Sequence, residues 1–182
     1  MKPSFKTAFL VCWALFFEVI AQAQPVNDTL SQPKNDKHMT AARDAIIHLY
    51  HDILNDRKFD ELDTLISVNY HGQGGRQGLS GFQQPIKDLL AAFPDAHWEV
   101  QVLMASEDKV FLKQTFEGTQ TGPFQNIPPT KKHVVVPAMS FYEFKDGKII
   151  QSEIQTDRLS FLQQLGVIPT DLSKPGRVHP GG

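Results

Sequence analysis

Three side chains in two short stretches could move a proton. In DGKIIQSEIQTD, Asp146 to Asp157, the only charges beyond the opening turn are Glu153 and Asp157. Upstream, NYHG carries His71. Burial in an apolar pocket raises a carboxylate's pKa toward neutral, and an imidazole titrates there unaided. Either group could then remove a proton next to a carbonyl while a hydroxyl or amide donor stabilises the enolate. Each residue also has a plainer role. Asp157 precedes RLSFLQQLG and can cap that helix. Strand alternation sets Gln151, Glu153 and Gln155 on one face, with Ile150, Ser152 and Ile154 on the other, so Glu153 can sit on a solvent or dimer face. His71 can be an ordinary loop residue, and Tyr70 beside it offers a hydroxyl.

Other constellations are emptier. His48 and His51 are three apart on a helical stretch, but no third ligand is spaced with them, so they read as structural and no metal is expected. GQGGRQG lacks the Lys-Ser/Thr of a phosphate loop and does not follow a strand. No G-x-S-x-G elbow occurs, and hydrolysis or lactone processing has no nucleophile to use. Lys131, Lys132 and His133 form a small basic spot that reads as solvated.

The 182 residues suit one domain with a real core, and 41% hydrophobic against 21% charged content is ordinary for a globular chain. A formal net charge of -2 shows no basic excess, so no nucleic-acid partner is expected. MKPSFK supplies two lysines, TAFLVCWALFFEVIA an apolar run, and AQAQ an A-x-A site after Ala23. Residues 1–23 therefore read as a secretory signal, the apolar run being about 15 residues against the roughly 20 that span a membrane. An exported protein, periplasmic or secreted, is expected, with no membrane contact after cleavage. Cleavage would also remove Cys12, the single cysteine, and with it any disulfide or thiolate site.

The elements that must position the candidates follow from periodicity. Residues 24–38 are polar and Pro-containing and read as a flexible linker, residues 39–168 as the folded domain, and residues 169–182 as an irregular tail. Ala42, Ile46, Leu49, Tyr50 and Ile53 set a helix from Thr40 to about Asn55. Phe59 to Ile66 reads as a second, shorter helix, and VNYHGQGGRQG as a glycine-rich break. Ser80 and Gln83 have capping-box spacing for a third helix reaching Leu90 to Phe93, with Pro85 fitting near its start. Beyond it the period changes. WEVQVLMA alternates Trp98, Val100, Val102 and Met104 against other residues, and KVFLKQTFEGT pairs with it across Glu107-Asp108. A Pro-rich loop leads into HVVVPAMSFYEF, Asp146-Gly147 makes a type I′-like turn, and KIIQSEIQT returns. Helices followed by antiparallel hairpins mean α+β, with a curved sheet and helices enclosing a cavity.

AAFPD (Ala91 to Asp95), EGTQTGPFQNIPPTKK (Glu117 to Lys132), FKDGKI (Phe144 to Ile149) and LQQLG (Leu162 to Gly166) stand in the order typical of SnoaL-like polyketide cyclases. The chain from about Ala41 to Gly166 resembles this ester-cyclase branch of the nuclear transport factor 2-like superfamily. The resemblance implies a conical α+β barrel with a deep pocket, often dimeric, and an intramolecular aldol closure without metal or organic cofactor. It also implies positions. The family's strand Asp falls at Ile154 and its partner His at Ser140, while Gln120 replaces the His of GTHTG and Glu153 the usual Trp. Asp157 matches a position commonly acidic, and His71 one where relatives carry a His at the pocket mouth. Ser140 and Tyr142 share the active-site parity and are expected to face the pocket and orient a ligand, as are Ser152 and Ile154 on the last strand and Tyr70 in the glycine-rich break.

Two readings follow. One is a cofactor-free cyclase- or ketosteroid isomerase-like enzyme using His71 with Asp157 or Glu153. The other is a non-catalytic module that binds a small hydrophobic, carbonyl-bearing molecule and has lost the cyclase acid/base pair.

Overall fold

In the computed structural model the described residues are 33–172, with side chains from Lys37. The segment read as a secretory signal, the start of the stretch read as linker and the end of the stretch read as tail lie outside them. Helix α1 (Pro33–His48) runs into a wider π-helical segment, Leu49–Asn55. The predicted stripe of Ala42, Ile46, Leu49, Tyr50 and Ile53 is buried. The described part of the helix already includes Pro33 to His38, inside the stretch read as linker. Widened turns of this kind recur at functional sites, and this one carries Tyr50.

A single 3-10 turn (Phe59–Glu61) and α2 (Leu62–Leu65) follow, burying Leu62 and Leu65. The glycine-rich break is not a loop throughout. Ile66–Gly72 forms strand β1, and after a tight turn the two residues of β2 (Arg76–Gln77) fold back on it. Its hydrogen bonds come from a parallel pairing with a strand some eighty residues later, Ile66 against Ile149 and Gly72 against Ser152. Nothing local announces such a partner, and the glycines obscured the strand.

Helix α3 (Gly78–Ala92) starts earlier than expected, with Gln77 at its N-cap and no side-chain capping bond. Ser80 and Gln83 therefore lie within the helix, and the predicted capping box does not form. Pro85 is consequently mid-helix rather than near the start, and the backbone bond it forgoes is the one to the Gly81 carbonyl.

Strand β3 (His97–Ser106) pairs with β4 (Lys109–Thr119), β4 with β5 (His133–Lys145), and β5 with β6 (Lys148–Thr156), all antiparallel. Sheet order is β2-β1-β6-β5-β4-β3. Asp146 and Gly147 both have positive φ, 51° and 76°, the geometry of the anticipated turn. A register shift between Val100 and Val102 breaks the alternation read from WEVQVLMA. Beyond it Leu103 and Ala105 pack on the core, while Val102 and Met104 are exposed. A second shift near Glu143-Phe144 sets Ile149, rather than Ile150, fully into the core. Helix α4 (Arg158–Gln164) closes the domain, and Gly166 stops it with φ 74°. The result is α+β, helices against a six-stranded, mostly antiparallel sheet.

His48, judged structural, bridges two elements. Its Nδ1 lies 2.7 Å from an Asp52 oxygen and its Nε2 2.9 Å from Glu61, tying α1 to the turn before α2. His51, Asp52 and Asp56 do bring ligand atoms within 4.8 Å of one another, a grouping the sequence spacing did not reveal. The Lys58 ammonium, 3.6 and 3.5 Å from the two carboxylates, already supplies the cation there. Hydrogen bonds from His48 and then His51 hold the Asp52 carboxyl down at about 2. A carboxylate with a depressed folded-state pKa stabilises the fold above its unfolded value, and that stability fades as pH falls through the folded one. Urea titrations of the wild type and Asp52→Asn should therefore diverge above pH 3.8 and converge toward pH 2. The difference should be small, since the group is part-exposed and screened by solvent.

Candidate functional site

Between the helices and the inner face of the sheet lies a cavity of about 740 Å³. Its wall is mainly aromatic and aliphatic: Phe82, Ile86 and Leu89 come from α3, Trp98 from β3, Phe116 from β4 and Phe161 from α4. These residues face inward because helix and strand periods both present their apolar sets to the same space.

Polar groups interrupt this wall at two places. At the first, Tyr50 from the π-helical segment meets Tyr142 of β5, hydroxyl to hydroxyl, at 2.8 Å. The Tyr50 hydroxyl also donates to Ser140 Oγ at 3.4 Å, and Gln114 Nε2 of β4 donates to the same oxygen at 3.0 Å. Gln114 Oε1 is buried with no hydrogen-bond partner among the described residues. At the second, Tyr70 of β1 and Ser152 of β6 share a hydrogen bond of 2.7 Å. Burial pushes the phenols of Tyr50, Tyr70 and above all Tyr142 upward, so all three stay protonated near neutral pH. They can donate to a carbonyl oxygen. They cannot serve as bases.

The residues expected to face the pocket divide as follows. Tyr70, Tyr142, Ser152 and Ile154 line it. Ser140 is 3% exposed and stands behind the wall, holding Tyr50 and Gln114 in place. The three candidates for proton transfer are not among the lining residues. Glu153 is exposed, pairs across the sheet with Phe141, and accepts from Gln151 Nε2 at 3.2 Å. From Gln151 to Thr156 the pairing with β5 is unbroken, so no bulge turns Glu153 inward and Ile154 keeps the cavity side. His71 is exposed, because the same alternation that buries Tyr70 sends its neighbour to the opposite face. Asp157 is the N-cap of α4, its Oδ1 accepting from Ser160 N at 2.9 Å.

Other cavity residues went unread in the sequence. Tyr50 belonged to the helical stripe and read as core. Gln114 did carry a signal: it interrupts the inward series Val110, Leu112, Phe116 of β4, where a polar residue needs a reason. Arg76 and Arg158 line the cavity from the start of short elements, where no period marks a face, and Asp88 lines it from within α3 as a charged residue among apolar ones. Asp88 is the only carboxylate among the lining residues; it is exposed and accepts from Gln84 Nε2 at 2.7 Å.

Gln120, in place of the His of GTHTG, is fully buried in the Pro-rich loop. Its Nε2 donates to the carbonyls of Gly122 and Ile127, and its Oε1 accepts from the Thr130 hydroxyl at 2.8 Å and from Thr130 N. It fastens the loop and is absent from the cavity lining.

Among solved structures the chain is similar to a SnoaL-like polyketide cyclase from Agrobacterium tumefaciens str. C58, at 28% identity over 69% of this chain and 98% of that one, with a TM-score of 0.62. A protein from Jannaschia sp. CCS1 assigned to the SnoaL-like polyketide cyclases shares the fold at 20% identity, TM-score 0.67, over 76% of this chain and 98% of that one. So does TsrD from Streptomyces laurentii, at 22% identity and TM-score 0.66, over 71% of this chain and 97% of that one. No curated protein matches the chain significantly. The family model for SnoaL-like polyketide cyclase matches residues 44–165, which hold every strand of the sheet and every cavity-lining residue. The chain belongs to the SnoaL-like polyketide cyclase family.

Proposed function

We propose that the protein binds a small, largely apolar, carbonyl-bearing molecule in this cavity and does not transform it. The observation that carries this is the side chain of Ile154 on the cavity wall, at the position where the resemblance puts the cyclase acid. An aliphatic group cannot take a proton, and Glu153 faces away. The tyrosine hydroxyls can still orient a carbonyl oxygen, and the aromatic wall can hold a flat ring body.

The test uses 2-tetralone, a ketone with an exchangeable position next to its carbonyl. Calorimetry should register binding, while NMR in D2O should show exchange at that position no faster than in buffer. His71→Ala, Glu153→Gln and Asp157→Asn should leave binding unchanged, asparagine capping a helix about as well as aspartate. Exchange above the buffer rate would reject the non-catalytic reading. The second reading, proton transfer at the mouth, is favoured by Asp88, the one lining carboxylate; in that case Asp88→Asn would abolish the acceleration.

We further propose export and self-association. Export is supported by the signal-like composition of residues 1–23, and the intact mass of protein recovered from an expressing cell should begin at Gln24. Among the described residues no helix is long and apolar enough to cross a membrane. Self-association is supported by the outer face of the sheet. There Met104, Phe111 and Met139 are 63%, 49% and 66% exposed, and Phe111 packs on Phe141 at 4.8 Å between ring centres. Sedimentation should report a dimer, and Phe111→Lys a monomer.

A further inference from the structure

We infer that the ligand carries a carboxylate, and that Arg76 binds it at the β1–β2 edge of the cavity. This rests on the reading above that the cavity holds a small molecule; it adds the charge of that molecule and the residue that recognises it.

The geometry is a row of donors. Gly72 of β1 lies between Arg76 of β2 and Ser152 of β6, paired with each. The Tyr70 phenol folds back over Gly72 so closely that a Cβ there would stand 2.5 Å from its oxygen. Glycine at position 72 thus lets a buried hydroxyl sit between the guanidinium strand and the serine. The Arg76 backbone is closely approached by α3. A Cβ on Gly81, in the first turn of α3, would come within 2.9 Å of the Arg76 carbonyl carbon. That approach of α3 to the Arg76 backbone bears on where its side chain leaves the chain.

These donors outnumber the acceptors around them. Tyr70 and Ser152 bring two hydroxyl protons, and their mutual hydrogen bond uses one. The Arg76 guanidinium has five N–H groups and donates through Nη1 to the Gln73 carbonyl at 3.0 Å. No carboxylate among the described residues lies within ion-pair distance of it. Asp88, the lining carboxylate, is engaged by Gln84. A cation without a counter-ion, next to a free hydroxyl proton and an apolar wall, matches a planar anion on an aromatic or aliphatic body. A guanidinium takes such an oxygen pair in a two-pronged contact.

Arg158 also lines the cavity and also lacks a carboxylate partner among the described residues, but its guanidinium stacks over the Phe161 ring at 5.3 Å. It serves as the control.

The experiment is calorimetric titration of the full chain with anthracene-2-carboxylate and with its methyl ester, which differ in charge and hardly in shape. The carboxylate should bind at least about fivefold more tightly, an effect set by one charge-assisted contact near solvent. Arg76→Gln should weaken the carboxylate alone and bring the two probes level, and Arg158→Gln should leave the preference in place. Near-UV circular dichroism on each variant guards against misfolding, and Tyr70→Phe provides a second variant that should lower the preference without touching the cation. Equal binding of acid and ester, or a preference that survives Arg76→Gln or vanishes with Arg158→Gln, would overturn the assignment and leave the binding reading standing. Binding of neither probe would overturn both.

Discussion

Phe93→Ala should cost about 3–5 kcal/mol of folding stability, the range for deleting a fully buried aromatic ring. Phe93 closes α3 and is completely buried. Its ring packs on Phe116 at 5.5 Å, Phe124 at 5.7 Å and Phe161 at 5.9 Å between centroids, so it joins β4, the Pro-rich loop and α4. All three of those rings also line the cavity. Removing the hub therefore does two things: it leaves a void in the core, and it frees the wall that a ligand would press against. Urea unfolding should show the lower midpoint with little change in slope, and affinity for any cavity ligand should fall with it. Phe93→Leu keeps most of the volume and should lose about 1.5 kcal/mol or less. If the alanine variant unfolds within about 1 kcal/mol of wild type, the three-ring contact does not organise this end of the molecule.

Gln120→Leu is the second large effect. Leucine matches the volume but satisfies none of the four hydrogen bonds made by the amide. The carbonyls of Gly122 and Ile127 and both donors of Thr130 would lose their partner, and buried groups left unpaired cost about 1–3 kcal/mol each before relaxation. A net loss of about 2–4 kcal/mol is expected, or roughly 10 °C in melting temperature for a domain of this size. Thr130→Val removes only the hydroxyl share and should cost less than half as much. The pair separates a structural residue from a catalytic one. A structural Gln120 should change stability strongly while leaving the affinity per folded molecule nearly intact, as its absence from the cavity lining requires. Glutamine at this position can satisfy two acceptors and two donors at once, whereas an imidazole has two ring nitrogens.

Much of this architecture was legible because its cause is local. The stripe Ala42, Ile46, Leu49, Tyr50, Ile53 buries a helix wherever it is placed. Asp146-Gly147 closes a hairpin because both residues accept positive φ, and alternation along β6 determined that Ile154 and Glu153 take opposite faces. The cap role of Asp157 was likewise visible in the residues that follow it.

What failed to show had a distant cause. β1 is a strand because β6 offers it a parallel partner, and no pattern within Ile66–Gly72 announces that neighbour. The bulge at Val100–Val102 reversed two predicted faces, since one extra residue shifts every later side chain to the other side. The sequence by itself set an aliphatic residue, Ile154, where the resemblance puts the cyclase acid. Tertiary structure alone decided what replaces it around the cavity. Tyr50, Gln114 and Arg76 come from three separate elements, and they line one cavity only because helix packing and sheet close on the same space.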